Sequence, residues 1–241
     1  MPPAGLGRRS CKGDNELTSA RVLYVMAAEA EYGARLRARI KPLITGVGPV
    51  EAAISTTMTL FAYESEGERP DLIVSLGSAG SATLEQGRVY QVSSVSWRDM
   101  DASALGFERG TTPFVEEAAD VAMPTPLLDV PKARLSTGAN VVSGEAYADI
   151  DADMVDMETH AVRRAARRFG VPVVGLRGVS DGAEELRRYA DWSETLPVVD
   201  ARLAEAVDAL AGALAGGLLE RRGDDVPAEP SPGSDEGSFR R

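Results

Sequence analysis

The chain has 241 residues, 44% of them apolar, and a formal net charge of −11 at pH 7. This length and apolar content suit one α/β domain built around a single large core. The negative charge would repel a phosphate backbone, and no basic stripe with interleaved aromatic residues offsets it. We therefore expect no nucleic-acid partner.

Membrane, disulfide and metal classes are also disfavoured. No run of about 18 apolar residues is present, and the N-terminus has no signal-type apolar region, so we expect a cytoplasmic protein without a membrane partner. The single cysteine, Cys11, excludes an intrachain disulfide and a Cys-rich metal site. The single histidine, His160, predicts a packed or partly exposed helix residue rather than a metal ligand. We expect neither metal nor cofactor.

The first half of the chain alternates strands and helices. Residues 1–20 are rich in Gly, Pro and charge, which predicts a disordered leader. Hydrophobic periodicity then predicts, in order, a strand over Val22–Ala27, a short strand over Leu43–Thr45, a helix over Pro49–Ser65 and a buried strand over Asp71–Leu76. A glycine turn, Gly77–Gly80, follows that strand.

The second half continues the alternation after a long loop. The predicted elements are a strand over Val89–Trp97, a loop over Gly110–Leu135, a short strand over Ala139–Ser143, a helix over Met157–Phe169, a buried strand over Val171–Leu176 and a helix over Leu196–Leu219. Arg163, Arg164, Arg167 and Arg168 predict a solvated helix face. The sum is a three-layer α/β/α sandwich with a mixed central sheet over 21–220, followed by a disordered acidic tail over 221–241.

Two acidic clusters stand at the edges of hydrophobic segments. They are Val155–Glu158 and, about twenty residues on, Val179–Gly182. Carboxylates are costly there unless a ligand hydroxyl or a transferable proton gives them partners. Ordinary helix caps and first-turn acids are the alternative interpretation. The small residues of Gly77–Gly80 add a place where a ligand can approach the backbone closely.

With Gly46–Glu51 upstream and Arg98–Ser103 downstream, the order of these segments resembles the nucleoside phosphorylase/nucleosidase superfamily. Within it, the chain is most similar to the 5'-methylthioadenosine/S-adenosylhomocysteine nucleosidases. The resemblance runs from about Val22 to about Leu210. It implies a nucleoside phosphorylase-like fold, a purine nucleoside as the small-molecule partner, hydrolysis of its N-glycosidic bond, and a homodimer in which the long central loop contributes to the interface.

The chemistry of the family requires an acid and an activated water. Breaking a ribosyl C–N bond builds positive charge on the sugar and negative charge on the departing purine. The resemblance implies that Asp181 protonates the purine, with a pKa raised by burial, and that Glu31 activates the water. Glu29 lies only two residues from Glu31, and a solvated helix-start acid is the alternative for either.

The resemblance also implies the substrate contacts. Glu158 would accept hydrogen bonds from the ribose hydroxyls, Met157 would pack against the sugar, and Tyr147 would stack on the purine where relatives usually carry phenylalanine. The remaining contacts are Ser78, Ala79, Gly80, Arg177 and Ser180. Alternative interpretations are a core methionine for Met157, a surface anchor for Tyr147 and a structural ion pair for Arg177.

Hydrolysis is favoured over phosphorolysis because two carboxylates near the first strand would repel phosphate, and the first arginine after them is Arg35. A non-catalytic nucleoside-binding protein on the same fold stays an alternative. Three departures from the family leave the 5' substituent open. The stretch between Glu31 and Gly46 is short, the segment between Tyr147 and Asp156 is clipped, and Ser81 replaces a usual glycine.

Overall fold

A computed structural model describes residues 20–219, so the predicted leader, the predicted tail and Cys11 lie outside the described residues. The strands are β1 (Val22–Met26), β2 (Leu43–Ile44), β3 (Leu72–Gly80), β4 (Val89–Trp97), β5 (Asp120–Ala122), β6 (Lys132–Thr137), β7 (Met154–Asp156) and β8 (Val173–Asp181). The α-helices are α1 (Ala34–Arg37), α2 (Pro49–Glu66), α3 (Thr159–Arg167), α4 (Tyr189–Ser193) and α5 (Leu196–Ala215). Between residues 20 and 219, no helix is long and apolar enough to cross a membrane.

The strands form one mixed sheet, as predicted. β2, β1, β3 and β8 run parallel to one another in that order, and β4 pairs antiparallel with β8. β6 and β5 both pair with β4. β7 then joins β6 to β3, so the strands β3, β8, β4, β6 and β7 close a ring. This closure was not predicted, because β7 is only three residues long.

The sheet has a hydrophobic core on each side, which confirms the three layers. Side chains alternate between the two faces of a strand. On β3, Ile73 packs in the core that contains residues of α2 and α3, whereas Leu72 and Val74 pack in the core that contains residues of α1 and α5. Helices therefore cover both faces, as in other sheets with parallel strands.

The glycine segment Gly77–Gly80 is strand rather than turn. It extends β3 and pairs with the last residues of β8. At Ala79 and Gly80 the register shifts, so Gly80 pairs with Asp181 and Ser180 is the extra residue of a bulge. Bulges re-aim side chains locally, and this one brings the Asp181 side chain beside Gly80.

Other differences lie between residues 110 and 169. The predicted loop Gly110–Leu135 contains β5 and the start of β6, and no strand covers Ala139–Ser143. Helix α3 begins two residues later than predicted, because the carboxylate of Asp156 accepts hydrogen bonds from the backbone N–H and hydroxyl of Thr159.

The arginine face of α3 is not simply solvated. Glu117, from the central loop, forms ion pairs with Arg163, Arg164 and Arg167. The side chain of Glu117 is 13% exposed and that of Arg163 is 12% exposed. Burial opposes the ionisation of Glu117, but the arginines keep its pKa below the ordinary value. The prediction was wrong because the partner of these arginines lies about fifty residues away in the chain.

One buried ion pair and its hydrogen bonds connect five elements at the centre of the molecule. Asp156, at the end of β7, lies 2.9 Å from Arg177 on β8, and the two side chains are 1% and 3% exposed. Arg177 also donates to the hydroxyls of Ser75 on β3 and Thr159 on α3. Thr137, at the end of β6, donates to Asp156. Burial raises the pKa of Asp156, but Arg177 and these donors hold it below the ordinary value.

We expect Asp156→Asn to lower the free energy of unfolding by about 3–5 kcal/mol, because it leaves the Arg177 guanidinium buried without a counter-charge. Urea denaturation measures the change. Asp208→Asn, which removes the exposed ion pair with Arg39, is the matched control and should cost less than about 1 kcal/mol. Equal costs in the two variants would contradict this role for the pair.

Candidate active site

The predicted site residues converge at one end of the sheet. Strands β1, β3 and β8 are parallel, so their carboxyl ends lie together. Glu31 follows β1 in a 3-10 turn, Ser78 lies near the end of β3, and Asp181 ends β8. Glu158 follows β7, which pairs with β3 at Gly80. Four segments that are distant in the chain therefore supply one site.

Glu31, not Glu29, faces the interior. Glu31 is 6% exposed, and its Oε1 accepts hydrogen bonds from the backbone N–H (2.7 Å) and the hydroxyl (2.6 Å) of Ser78. Its Oε2 is buried and has no hydrogen-bond partner among residues 20–219. Glu29 is exposed and pairs with Arg37. A carboxylate with one saturated oxygen and one free oxygen is arranged to accept a proton.

Asp181 lies at the other end of the β3 glycine segment, beside Gly80. Its Oδ1 accepts a hydrogen bond from the Ser180 hydroxyl (2.6 Å), and its Oδ2 lies 3.4 Å from the Tyr147 hydroxyl. Burial raises the pKa of Asp181, and the two hydroxyls oppose that rise. A Cβ at Gly80 would lie 2.6 Å from Oδ2 of Asp181, so a side chain at this position would displace the carboxylate.

Tyr147 lies in a 3-10 turn, Gly144–Asp149, and its hydroxyl also lies close to Gly80. Burial and the nearby Asp181 raise the pKa of this hydroxyl, so it stays protonated and donates. The side chain thus contacts the residue that was predicted to be the acid.

Glu158 is the residue before α3, yet its carboxylate does not cap that helix. Its Oε1 instead accepts a hydrogen bond from the backbone N–H of Gly48 (2.8 Å), at the start of α2. Burial and the neighbouring charge of Asp156 raise the pKa of Glu158 to about 7. Met157 beside it is partly exposed, so it is not a fully buried core methionine.

Three other predicted site residues, Ala79, Arg177 and Ser180, are buried. Ala79 is 3% exposed and Ser180 is fully buried. The guanidinium of Arg177 donates its hydrogen bonds to Asp156, Ser75, Thr159 and the carbonyl oxygen of Leu176. These contacts match the structural ion pair that was the alternative interpretation of Arg177.

Three residues that were not predicted to belong to the site also shape it. The Arg98 guanidinium donates to the carbonyl oxygens of Ser136 (2.6 Å), Asn140 (2.6 Å) and Asp156 (3.0 Å), which holds the chain ahead of Tyr147. Burial lowers the pKa of Arg98, and the negative charge of Asp99 opposes this decrease. The motif Arg98–Ser103 was visible in the sequence, but the acceptors were not, because they are backbone atoms.

The other two of these residues are Ser81 and Trp192. The hydroxyl of Ser81 donates to the carbonyl oxygen of Asp153 (2.6 Å) and so anchors the clipped segment before β7. The indole N–H of Trp192, on α4, donates to the hydroxyl of Ser78 (3.0 Å). Neither contact has a local sequence signal, since each partner is more than seventy residues away.

No metal centre is found in the part of the chain that the structure describes: no three His, Cys, Asp or Glu side chains there could hold an ion. His160 is packed, as predicted. Its ring stacks on Trp97 with a 5.5 Å centroid separation, and burial together with the charge of Arg163 lowers its pKa to about 4.

Sequence comparisons identify relatives. The family model described as the phosphorylase superfamily matches residues 39–212. The 5'-methylthioadenosine/S-adenosylhomocysteine nucleosidase of Staphylococcus aureus (strain MRSA252) is 31% identical over 185 residues, covering 68% of this chain and 78% of the relative. The nucleosidase of Halalkalibacterium halodurans is 30% identical over 197 residues with the same coverage.

Solved structures show the same fold. The nucleosidase of Colwellia psychrerythraea in complex with adenine has a TM-score of 0.68 at 21% identity, covering 81% of this chain and 96% of that one. The nucleosidase of Neisseria meningitidis in complex with methylthio-immucillin-A has a TM-score of 0.65 at 20% identity, covering 81% and 98%. The sequence matches establish that the chain belongs to the phosphorylase superfamily and, within it, to the 5'-methylthioadenosine/S-adenosylhomocysteine nucleosidases.

Proposed function

We propose that this enzyme hydrolyses the N-glycosidic bond of 5'-modified adenine nucleosides, methylthioadenosine and S-adenosylhomocysteine, to adenine and the free 5'-modified ribose. One observation carries the proposal. A buried carboxylate with a free oxygen, Glu31, and a buried carboxyl with a raised pKa, Asp181, approach the same short segment of β3. Acid and base catalysis of one bond cleavage needs such a pair.

Each carboxyl has a separate role in the proposed reaction. Asp181, whose protonated form is favoured by burial, donates its proton to the departing purine. Oε2 of Glu31 accepts a proton from the water that attacks C1', because its Oε1 is already occupied by Ser78. Glu158, when ionised, accepts hydrogen bonds from the 2'- and 3'-hydroxyls, and the Tyr147 ring offers the purine an apolar face.

Phosphorolysis is disfavoured because the arginines within the site are already engaged. Arg177 is held by Asp156, and Arg98 donates to three carbonyl oxygens. Arg37, near the first strand, pairs with Glu29. Glu31 and Glu158 add negative potential that repels phosphate and favours the positive charge that develops on the sugar.

A homodimer is part of the proposal, supported by the exposed apolar face of α2. The side chains of Val50, Ile54, Met58 and Phe61 are 66%, 50%, 68% and 67% exposed. At 100° per residue they fall within about 80° of the helix circumference. A contiguous apolar stripe of this kind marks an association surface. The cytoplasmic location, which was expected from the lack of a long apolar run and of a signal-type region, and a role in methionine salvage, which the family resemblance implies, stay predictions.

We expect Asp181→Asn and Glu31→Gln each to lower kcat by at least about a hundredfold, because each removes one partner of the acid–base pair. The assay is adenine release from methylthioadenosine and from S-adenosylhomocysteine in phosphate-free buffer. Glu29→Gln is the matched control and should leave kcat unchanged. A near-normal rate in either site variant would overturn that assignment. Nucleoside binding by the wild type without adenine release would make it a binding protein instead.

We expect Tyr147→Phe to move the alkaline limb of the kcat/KM profile to higher pH. Activity needs protonated Asp181, so it falls as pH rises through the Asp181 pKa. The Tyr147 hydroxyl stabilises the ionised form, so its removal raises that pKa. The phenylalanine ring keeps the apolar face, and Tyr63→Phe on α2 is the control. A limb that stays in place, or moves to lower pH, would show that this hydroxyl does not act on Asp181.

We expect the wild type to be a dimer by light scattering at micromolar concentration and Phe61→Glu to be a monomer, because a charge on the α2 stripe opposes its burial. Val198→Glu, at an exposed position on α5 and outside the central loop, should leave the dimer intact. A monomeric wild type would rule out the proposed assembly.

A further inference from the structure

Trp192 links the segment that follows Asp181, the proposed acid, to Glu31, the proposed base, through hydrogen bonds. It lies on α4, eleven residues beyond Asp181, and is partly buried. Its indole N–H donates to Oγ of Ser78 (3.0 Å), and Oγ of Ser78 lies 2.6 Å from Oε1 of Glu31. A chain of two hydrogen bonds therefore runs from α4 to the carboxylate that we assign as the base.

The direction of this chain follows from the groups in it. An indole nitrogen can only donate, whereas a serine hydroxyl has one proton and two lone pairs. Because Trp192 donates to the oxygen of Ser78, that oxygen accepts there and its single proton points to Glu31. The backbone N–H of Ser78 donates to the same Oε1 at 2.7 Å. Both donors thus occupy Oε1 and leave Oε2 available.

We propose that Trp192 is a positioning residue that orients the Ser78 hydroxyl toward Oε1 of Glu31 and so reserves Oε2 of Glu31 for the attacking water. The inference rests on the proposed hydrolysis for its consequence, but the contact between Trp192 and Ser78 stands independently of it. Without the indole N–H, the Ser78 hydroxyl can rotate and donate elsewhere, and the orientation of the Glu31 carboxylate loses one constraint.

Contacts within the short segment hold the indole in place. The ring of Tyr189 meets the ring of Trp192 edge to face with a centroid separation of 5.2 Å. The carboxylate of Asp191 accepts hydrogen bonds from the backbone N–H groups of Arg187 and Arg188. The segment that begins at Asp181 and ends at Trp192 therefore links the acid to the residue that orients the base.

Trp192→Phe tests the inference because it keeps an aromatic ring and removes the N–H donor. We expect kcat for methylthioadenosine hydrolysis to fall about three- to tenfold, the scale of one lost neutral hydrogen bond, with little change in KM. Tyr189→Phe, which keeps the ring contact, is the matched control and should leave kcat unchanged. A higher KM with an unchanged kcat would indicate a packing or binding role and would overturn the inference.

A double-mutant cycle separates an effect through Ser78 from an independent one. Ser78→Ala removes the hydroxyl, so Trp192→Phe added to it should cause no further loss of kcat. Additive losses would contradict the proposed positioning role, because they would show that the indole acts without Ser78.

An NMR measurement tests the contact without turnover. The chain has two tryptophans, so the indole region of a ¹H–¹⁵N spectrum should contain two cross-peaks, and Trp192→Phe identifies one of them. Ser78→Ala should move that cross-peak and leave the Trp97 cross-peak in place. An unmoved Trp192 cross-peak would refute the contact. A wild type that releases no adenine would refute the proposed function, and the cross-peak would still report whether the contact exists.

Discussion

The buried ion pair between Asp156 and Arg177 determines how the parts of the site lie relative to one another. A buried charge pair is tolerated only when its remaining hydrogen-bonding groups are satisfied, and here the partners come from β3, β6 and α3. Glu158 follows Asp156 by two residues and Asp181 follows Arg177 by four. The chain segments that follow Asp156 and Arg177 therefore place two carboxyls of the proposed site, those of Glu158 and Asp181.

Three carboxyls of the site have three different environments. Glu31 is oriented by Ser78, Asp181 is buried beside a glycine, and Glu158 lies close to the charge of Asp156. The fold thus assigns distinct roles to chemically similar groups through burial and hydrogen bonding rather than through residue type. The carboxylates of Glu31 and Glu158 give the site a negative potential, which stabilises a cationic sugar more than a neutral one. Such differential stabilisation lowers a barrier, whereas equal stabilisation of both states would not.

Local periodicity predicted the long elements well. Strand β4 has the predicted bounds, and α2 ends one residue beyond them, because their apolar residues repeat regularly over whole elements. The short strands β5 and β7 escaped prediction, since three residues contain no periodicity. The bulge at Ser180 and the contacts of Arg98 and Trp192 depend on partners from distant segments. Family resemblance singled out Glu31, but its burial, and the exposure of Glu29, became visible only in the folded chain.

The most direct test of hydrolysis against phosphorolysis lets water and phosphate compete and then identifies the sugar product. Wild-type enzyme is incubated with methylthioadenosine in saturating phosphate, and the sugar is identified by ¹H and ³¹P NMR. We expect only the free sugar with a reducing anomeric carbon, because in the proposed mechanism Glu31 activates water and no arginine of the described site is free to hold phosphate. A sugar 1-phosphate would contradict this expectation and identify the protein as a phosphorylase.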